Sequence, residues 1–233
     1  MSDIEAQTLG VWTAYGEHHL ARGTEVPEVD RLSWGYWSAQ GPGEEILGDL
    51  AGRRILDLGS GIGKYPAHLA RHGVAVEAVE ASPSQHERAV ARYGELPGLR
   101  LIHADAVEHL EQAGPYDVVY SIHAVPYIDP HRLLPVVAKA LLPGGRFVFS
   151  ALHTTFGGDG PSTTVAARRE VLPLAGGEPM SVAMWVLTPV LWEELLTQYG
   201  LIADHIDVLT APDDTPLSCT LVQARRPPAP ADG

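Results

Sequence analysis

The sequence predicts an α/β protein in which helices cover both faces of a mostly parallel sheet. Two observations carry this prediction: strand-like and helix-like segments alternate between residues 50 and 150, and several strand-like runs are almost unbroken in apolar side chains. Alternation of this kind indicates a parallel sheet. Nearly continuous apolar runs, as at Ile55–Leu58, Val118–Tyr120 and Phe147–Phe149, are typical of strands that are covered on both faces.

The elements follow one another as seven strands and their connecting helices. We expect strands at 53–58, 74–79, 99–103, 117–121, 146–150, 201–209 and 217–225. We expect helices at 3–22, 43–50, 64–72, 83–93, 106–112, 131–142, 163–172 and 189–199. The candidate inward positions of the first helix are Ile4, Leu9, Trp12 and Leu20. The link 211–216 is rich in turn residues, so the last two strands should form an antiparallel pair.

Capping residues support several of these boundaries. Ser82 and Pro83 supply an N-cap and a proline at the first helical position. The pair Asp129-Pro130 offers the same start to a later helix, but Pro135 predicts that its regular turns begin nearer Leu134.

The chain is expected to form a single domain over residues 1–226. Its parts would be an N-terminal helical cap, a cofactor-binding core, a lid segment on the substrate side and a final strand pair, at 1–49, 50–150, 151–200 and 201–226. The proline-rich stretch 227–233 is predicted to be a disordered tail.

Charge and composition restrict the partners. A formal net charge of −13 argues against nucleic acid and against an anionic membrane surface. The chain has no apolar run near the roughly 20 residues that span a bilayer, and its first residues lack a basic start and an apolar segment. The one cysteine, Cys219, excludes an internal disulfide. We expect a cytoplasmic monomer or homodimer that binds a small molecule.

The most informative motif is the run Ile55–Gly63, in which an acid precedes three alternating glycines. Glycine lets a ligand lie against bare backbone, and the acid Glu80, one strand away, could hold a ribose. A dinucleotide site requires G-x-G-x-x-G, but Lys64 stands where the third glycine of that pattern should be. A P-loop requires Ser or Thr after its lysine, but Tyr65 follows Lys64, so the stretch does not match a P-loop. Asp57 would repel a pyrophosphate and suits a cationic ligand.

The stretch Asp57–Gly63 resembles the first motif of the class I S-adenosylmethionine-dependent methyltransferases, D/E-x-G-x-G-x-G. This resemblance implies a Rossmann-like, seven-stranded, mostly parallel sheet with helices on both faces, an antiparallel C-terminal strand pair and S-adenosyl-L-methionine as the cofactor. It implies a glycine loop beneath the methionine part, Glu80 on the ribose and Asp105 beside the adenine. The full set of implied cofactor residues is Asp57, Gly59, Ser60, Gly61, Gly63, Glu80, Ala81, Asp105, Ala106, Ser121 and Ile122.

Aromatic residues outside the core point to the substrate side. All five tryptophans lie outside residues 50–150, in segments free to cover the carboxyl edge of the sheet, where ligands of such sheets bind. They either pack the cap onto the sheet or wall an acceptor pocket. The candidate pocket residues are Tyr15, His19, Trp34, Trp37, Tyr127 and Trp185.

Histidine is the natural candidate for a general base, because its pKa lies near neutrality. His123 follows the fourth strand and His153 the fifth, so both are catalytic candidates. His68 and His72 have a spacing that zinc ligands use, but no cysteine or acid cluster accompanies them, and we predict no metal.

The first functional hypothesis is methyl transfer to oxygen or nitrogen of a small organic molecule. Arginine outnumbers lysine, and alanine, glycine and proline are abundant, which favours a bacterial secondary metabolite as the acceptor. The stretch Ser121–Tyr127 lacks the Asn/Asp-Pro-Pro-Tyr of enzymes that methylate nucleic-acid bases. Two alternatives stay open: a cyclisation or rearrangement without methyl transfer, and a non-catalytic protein that binds the cofactor.

Overall fold

The computed structural model describes residues 1–37, 41–172 and 179–229. Its strands are β1 (Ile55–Leu58), β2 (Val76–Glu80), β3 (Leu99–His103), β4 (Tyr116–Ile122), β5 (Leu141–Thr154), β6 (Arg168–Leu172), β7 (Met180–Met184), β8 (Ile202–Thr210) and β9 (Ser218–Arg225). Its α-helices are α1 (Asp3–Ala21), α2 (Lys64–Arg71), α3 (Pro83–Tyr93), α4 (Ala106–Gln112), α5 (Pro130–Ala140) and α6 (Pro189–Gln198).

Seven strands form the main sheet in the order β3-β2-β1-β4-β5-β9-β8. The five strands from β3 to β5 run parallel, whereas β9 is antiparallel to both β5 and β8. The predicted fold class is therefore confirmed, including the antiparallel C-terminal pair. Because β1 and β4 are neighbours, the chain reverses its order at β1, and the carboxyl ends of β1, β2 and β4 border a crevice.

The predicted helix at 163–172 is wrong. Residues Arg168–Leu172 form β6, which pairs antiparallel with β7 in a separate two-stranded ribbon. Alanines and arginines in this segment favour a helix locally, but pairing with Met180–Met184 overrides that preference. The predicted helix at 43–50 is reduced to a 3₁₀ turn over Glu44–Leu47, flanked by glycine on each side.

The start of α5 also differs from the prediction. Asp129 caps the helix by accepting a hydrogen bond from His131 N–H at 2.8 Å, and the helix begins at Pro130 rather than near Leu134. Pro135 is accommodated inside the helix. Only one intrahelical hydrogen bond is removed by its missing N–H, and the cap and the buried apolar side of the helix outweigh that loss.

Helix α1 lies across the carboxyl edge of the sheet. The Ser84 hydroxyl donates to Thr13 O at 2.7 Å, which joins α1 to α3. Thr8 Oγ1 lies 3.2 Å from the Ala183 N–H, which joins it to β7. The prediction that Ile4 points inward is wrong: Ile4 is 43% exposed, and Glu5 is buried beside it.

Glu5 is buried because its carboxylate has partners on all sides. It accepts hydrogen bonds from Asp129 N–H at 2.9 Å and from Ser2 N–H, and it pairs with Arg132. The start of α1 is thereby fixed to the start of α5.

Within the described residues, no helix combines the length and the apolar character needed to cross a bilayer. Of the predicted disordered tail at 227–233, residues 230–233 lie outside the described part of the chain.

Candidate active site

A cavity of about 780 Å³ opens at the carboxyl edge of the sheet, beneath α1. Three parts of the chain line it: the ends of β1, β2 and β4 with the residues that follow them, one side of α1, and the ribbon of β6 and β7. Of the predicted site residues, the structure brings to this cavity Asp57, Gly59, Ser60, Gly61, Glu80, Ala81, Asp105, Ala106, Ile122, His123, Tyr15, His19 and Tyr127.

The glycine loop forms one wall of the cavity without side chains. Gly59 has φ +72°, and a Cβ built there would lie 2.2 Å from the Ala124 Cβ, so only glycine fits. The Gly59 and Ser60 N–H groups both donate to Val79 O, at 2.9 and 3.0 Å, and Gly61 N–H donates to Glu80 Oε2 at 2.8 Å. These amides point into the protein and are not offered to a pyrophosphate, in agreement with the spacing argument against a dinucleotide.

The third glycine of the motif has a packing role. Gly63 does not line the cavity, contrary to the expectation from the motif. A Cβ built at this position would lie 3.1 Å from the Ala89 Cβ and 3.4 Å from Tyr93. Gly63 therefore lets α3 approach the start of α2 closely.

Two acids follow neighbouring strands at the cavity wall. Glu80 ends β2, and its Oε1 accepts from Ser82 N–H at 2.7 Å while Oε2 accepts from Gly61. Burial raises the pKa of Glu80. Asp105 follows β3 and caps α4, with Oδ1 accepting from Val107 N–H at 2.9 Å and from Glu108 N–H at 3.1 Å.

Asp57 is a buried acid of the cavity wall, with 2% of its surface exposed. Its Oδ2 accepts a hydrogen bond from the Tyr120 hydroxyl at 3.0 Å. Burial raises the pKa of Asp57 to about 8, so the carboxyl group is protonated at neutral pH unless a cation lies beside it. A positively charged ligand would favour the carboxylate.

These features fit an adenosyl cofactor whose amino-acid part carries an ammonium group. The backbone wall at Gly59–Gly61 leaves room for a ligand, Glu80 faces the cavity, and Asp57 is a buried acid poised to ionise beside a cation. Within residues 1–37, 41–172 and 179–229, no three His, Cys, Asp or Glu side chains are grouped so that they could hold a metal ion.

His123 occupies an unusual position after β4. Its backbone has φ +64°, a left-handed conformation that is uncommon outside glycine. The ring stacks on Tyr36 with centroids 3.9 Å apart and an interplanar angle of 11°. Nδ1 lies 3.3 Å from Ser150 Oγ, and Nε2 is buried without a hydrogen-bond partner among the described residues. Burial lowers the pKa of His123 to about 4, so its imidazole is neutral at pH 7.

Ser121 and His153 were also predicted at the site but do not line the cavity, for a reason of strand geometry. The Ser121 hydroxyl is fully buried and donates to Leu58 O at 2.8 Å. His153 Nδ1 lies 3.0 Å from Thr154 Oγ1 and 3.2 Å from Ser218 Oγ. Side chains alternate along a strand, so Leu152 faces the cavity and the next residue faces away.

The structure also places three of the predicted pocket tryptophans outside the cavity lining. Trp34 is fully buried in the core cluster that includes Ile55 and Tyr120, and its indole N–H donates to Gly43 O at 3.0 Å. Trp185 is 6% exposed and belongs to the main core. Trp37 packs against a cluster that includes Leu152 and Val182. The positions of these three residues therefore favour the packing interpretation over the pocket interpretation.

Several cavity residues were missed by the sequence analysis. The most relevant are Trp12, Tyr36, Lys64, Arg88 and Glu170. Lys64 could have been found from its place directly after the glycine loop, and Trp12 from its predicted inward position on α1. Tyr36 and Glu170 carry no local signal, because tertiary packing of irregular or misassigned segments brings them to the site.

Comparison with known proteins agrees with this geometry. A family model described as a methyltransferase domain matches residues 39–206. A ubiquinone biosynthesis O-methyltransferase of Caulobacter sp. (strain K31) is 38% identical over 108 residues, which cover 45% of this chain and 42% of that protein. One of Xanthomonas oryzae pv. oryzae (strain PXO99A) is 28% identical over 163 residues, which cover 61% of this chain and 65% of that protein.

Each of these matches spans less than two thirds of the relative's own length. Among solved structures, Burkholderia thailandensis 1,6-didemethyltoxoflavin-N1-methyltransferase, with bound 1,6-didemethyltoxoflavin and S-adenosylhomocysteine, is similar with a TM-score of 0.64. The two share 19% identity, and the alignment covers 97% of this chain and 92% of that one. At this identity the likeness bears on the fold.

Proposed function

The chain belongs to the methyltransferase domain family, whose members use S-adenosylmethionine, and on that premise we propose that it moves a methyl group to an oxygen or nitrogen atom of a small organic acceptor. When bound, the cofactor supplies an electrophilic methyl group on a positively charged sulfur. One observation carries the proposal: the backbone wall at Gly59–Gly61, the Glu80 carboxyl and the His123 ring border the same cavity.

The cofactor roles follow from the kind of group that each residue offers. Glu80 would accept hydrogen bonds from the two ribose hydroxyls, and Asp57 would balance the ammonium group of the amino-acid part. Asp105 would lie beside the adenine amino group, and the small residues Ala81 and Ala106 would lie next to the adenine ring. Each of these residues lines the cavity.

His123 is the proposed general base. Its neutral imidazole lines the cavity, stacks on Tyr36 and has Nδ1 3.3 Å from Ser150 Oγ. A low pKa makes it a weak base in isolation, but an acceptor hydroxyl or neutral amine becomes a stronger acid as its bond to the methyl carbon forms, and the proton that it releases passes to the imidazole. Proton transfer of this kind contributes about 10²- to 10⁴-fold in rate.

Aromatic side chains would hold the acceptor. Trp12 packs edge to face against Tyr15 and Tyr127, with ring centroids 5.7 and 5.5 Å away. Such walls exclude water and fix orientation, effects that supply roughly 7–11 kcal/mol of a barrier. A bacterial secondary metabolite is our proposed acceptor class, on the compositional argument, and we propose that the protein works in the cytoplasm as a monomer or homodimer.

The assignment is tested by titration calorimetry with S-adenosylhomocysteine. Glu80→Gln should weaken binding at least tenfold, because one hydrogen-bond acceptor and the negative charge are lost. Glu87→Gln, at an exposed position on α3, is the matched control and should bind like the wild type. Unchanged affinity in Glu80→Gln would contradict the ribose assignment. Formation of S-adenosylhomocysteine during turnover separates methyl transfer from a cyclisation or rearrangement.

A further inference from the structure

A second polar cluster lines the cavity between α1 and α3, apart from the glycine loop. Arg88 is only 6% exposed, and its Nη1 donates to Gln85 Oε1 at 2.9 Å. Its Nε is buried without a partner, and no carboxylate among the described residues lies within ion-pair distance of this guanidinium. Arg132 and Arg168, by contrast, each pair with a buried glutamate.

The neighbours of Arg88 add further donors and no negative charge. His19 lines the same corner of the cavity, and its Nδ1 is buried without a partner among the described residues. Its ring lies 4.4 Å from that of Tyr15, centroid to centroid. Burial, and next the charge of Arg88, lower the pKa of His19. A cationic corner of this kind is notable in a chain with a net charge of −13.

Burying a charge without a partner costs free energy, so an anion in the cavity would stabilise the buried guanidinium of Arg88. A planar guanidinium matches the two oxygens of a carboxylate particularly well. We propose that Arg88, with His19 beside it, forms a carboxylate subsite that holds the acidic group of the acceptor. The inference rests on the proposed function, because it names the class of acceptor for that same cavity.

Position favours the acceptor over the cofactor as the source of the carboxylate. Arg88 is linked through Gln85 to Ser82, which donates to Glu80, so it lies beyond the residue proposed to hold the ribose. The amino-acid end of the cofactor is proposed at the opposite end, beside Asp57. From Tyr15, next to Arg88, the edge-to-face contacts run through Trp12 to Tyr127. An aromatic acid would therefore place its ring along these side chains and its carboxylate at Arg88.

The test compares benzoate with benzamide, which share a ring and differ in charge. Calorimetric titration of the wild type, with saturating S-adenosylhomocysteine and without it, should show benzoate binding at least tenfold more tightly than benzamide. Arg88→Met should abolish this preference, and Arg88→Lys should retain part of it. Arg92→Met is the matched control on the same helix, because its exposed side chain pairs with Glu28 outside the cavity.

Two results would overturn the subsite: equal or undetectable binding of the two probes by the wild type, or a benzoate preference that survives in Arg88→Met. Thermal unfolding checks that each variant folds, and Arg88→Gln replaces Arg88→Met if the latter does not.

A further arm identifies the source of the carboxylate. Affinities for S-adenosylhomocysteine and for 5′-deoxy-5′-methylthioadenosine, which lacks the amino-acid part, should be unchanged in Arg88→Met. Weaker binding of the first compound alone would assign the carboxylate to the cofactor and overturn the acceptor assignment. Failure of the wild type to bind either nucleoside would refute the proposed function instead, and the benzoate preference measured without them would still decide the subsite.

Discussion

The two sides of the cavity are built in different ways. The proposed cofactor side consists of residues at or directly after the ends of strands, such as Gly59 after β1 and Glu80 at the end of β2. The backbone N–H of Gly59 and the carboxyl group of Glu80 form hydrogen bonds with neighbouring backbone groups. The proposed acceptor side is assembled from α1, the irregular segment that holds Tyr36, and the ribbon of β6 and β7.

This difference determines which side of the cavity can change in sequence without disturbing the fold. A parallel sheet fixes the positions of its own carboxyl ends through strand pairing, so a site made from them is held by the backbone of the core. The acceptor side depends on packing between segments far apart in sequence, as in the contact of Thr8 with Ala183. We therefore expect mutations on the cofactor side to disturb binding or folding, and mutations on the acceptor side to change substrate preference.

The largest effect is expected at His123, where the two sides meet. His123→Asn should lower kcat by about 10²- to 10⁴-fold, because the proposed base is removed. Asparagine tolerates a left-handed backbone, so the turn at φ +64° is preserved. Affinity for S-adenosylhomocysteine, measured by calorimetry, should not change. His153→Asn is the control, and turnover by His123→Asn at the wild-type rate would remove this histidine from the mechanism.

The next effect is expected at Gly59, on the cofactor side. Gly59→Ala should lower the free energy of unfolding by about 2 to 5 kcal/mol, from strain at φ +72° and from collision with the Ala124 Cβ. Gly61→Ala serves as the control, because a Cβ there has no atom within 4 Å and adds only backbone strain. Adding Ala124→Gly to Gly59→Ala should restore part of the stability in denaturant titrations. No restoration would mean that the collision is not the cause.

The last effect is a pH dependence that originates at Asp57, and over a single pH unit it is the smallest of the three. The folded protein keeps this proton up to about pH 8, whereas an unfolded carboxyl loses it near its ordinary value of 3.8. Between these values the unfolded state binds fewer protons, so this group lowers the free energy of unfolding as pH rises, by at most about 1.4 kcal/mol per pH unit. Asp57→Asn should show a shallower decline from pH 4 to 8. Identical slopes in the two proteins would contradict the raised pKa.

The sequence predicted the sheet and the strand-end residues because their signals are local. Glycine spacing, a capping serine at Ser82 and apolar runs act within a few residues of each other, and the helix at 83–93 and the strand at 99–103 have the predicted bounds. The alternation of strands and helices predicted that the core strands are parallel, whereas the strand order of the sheet comes from the structure.

The acceptor side was predicted poorly because its signals are not local. The sequence does not distinguish an aromatic residue that lines a cavity, as Trp12 does, from one that fills the core, as Trp34 does. Glu170 was hidden in a segment whose composition favours a helix but which pairs as a strand. The unpaired state of Arg88 is visible only when the surroundings of its guanidinium are known.

The inward direction of the glycine-loop amides has a thermodynamic consequence. Since Gly59, Ser60 and Gly61 already donate to Val79 and Glu80, the loop keeps its shape whether or not a nucleoside is present. A rigid receptor loses little conformational entropy on association. We therefore expect the cofactor to bind a preformed wall. Any conformational adjustment during the reaction cycle should occur in α1 and in the ribbon of β6 and β7.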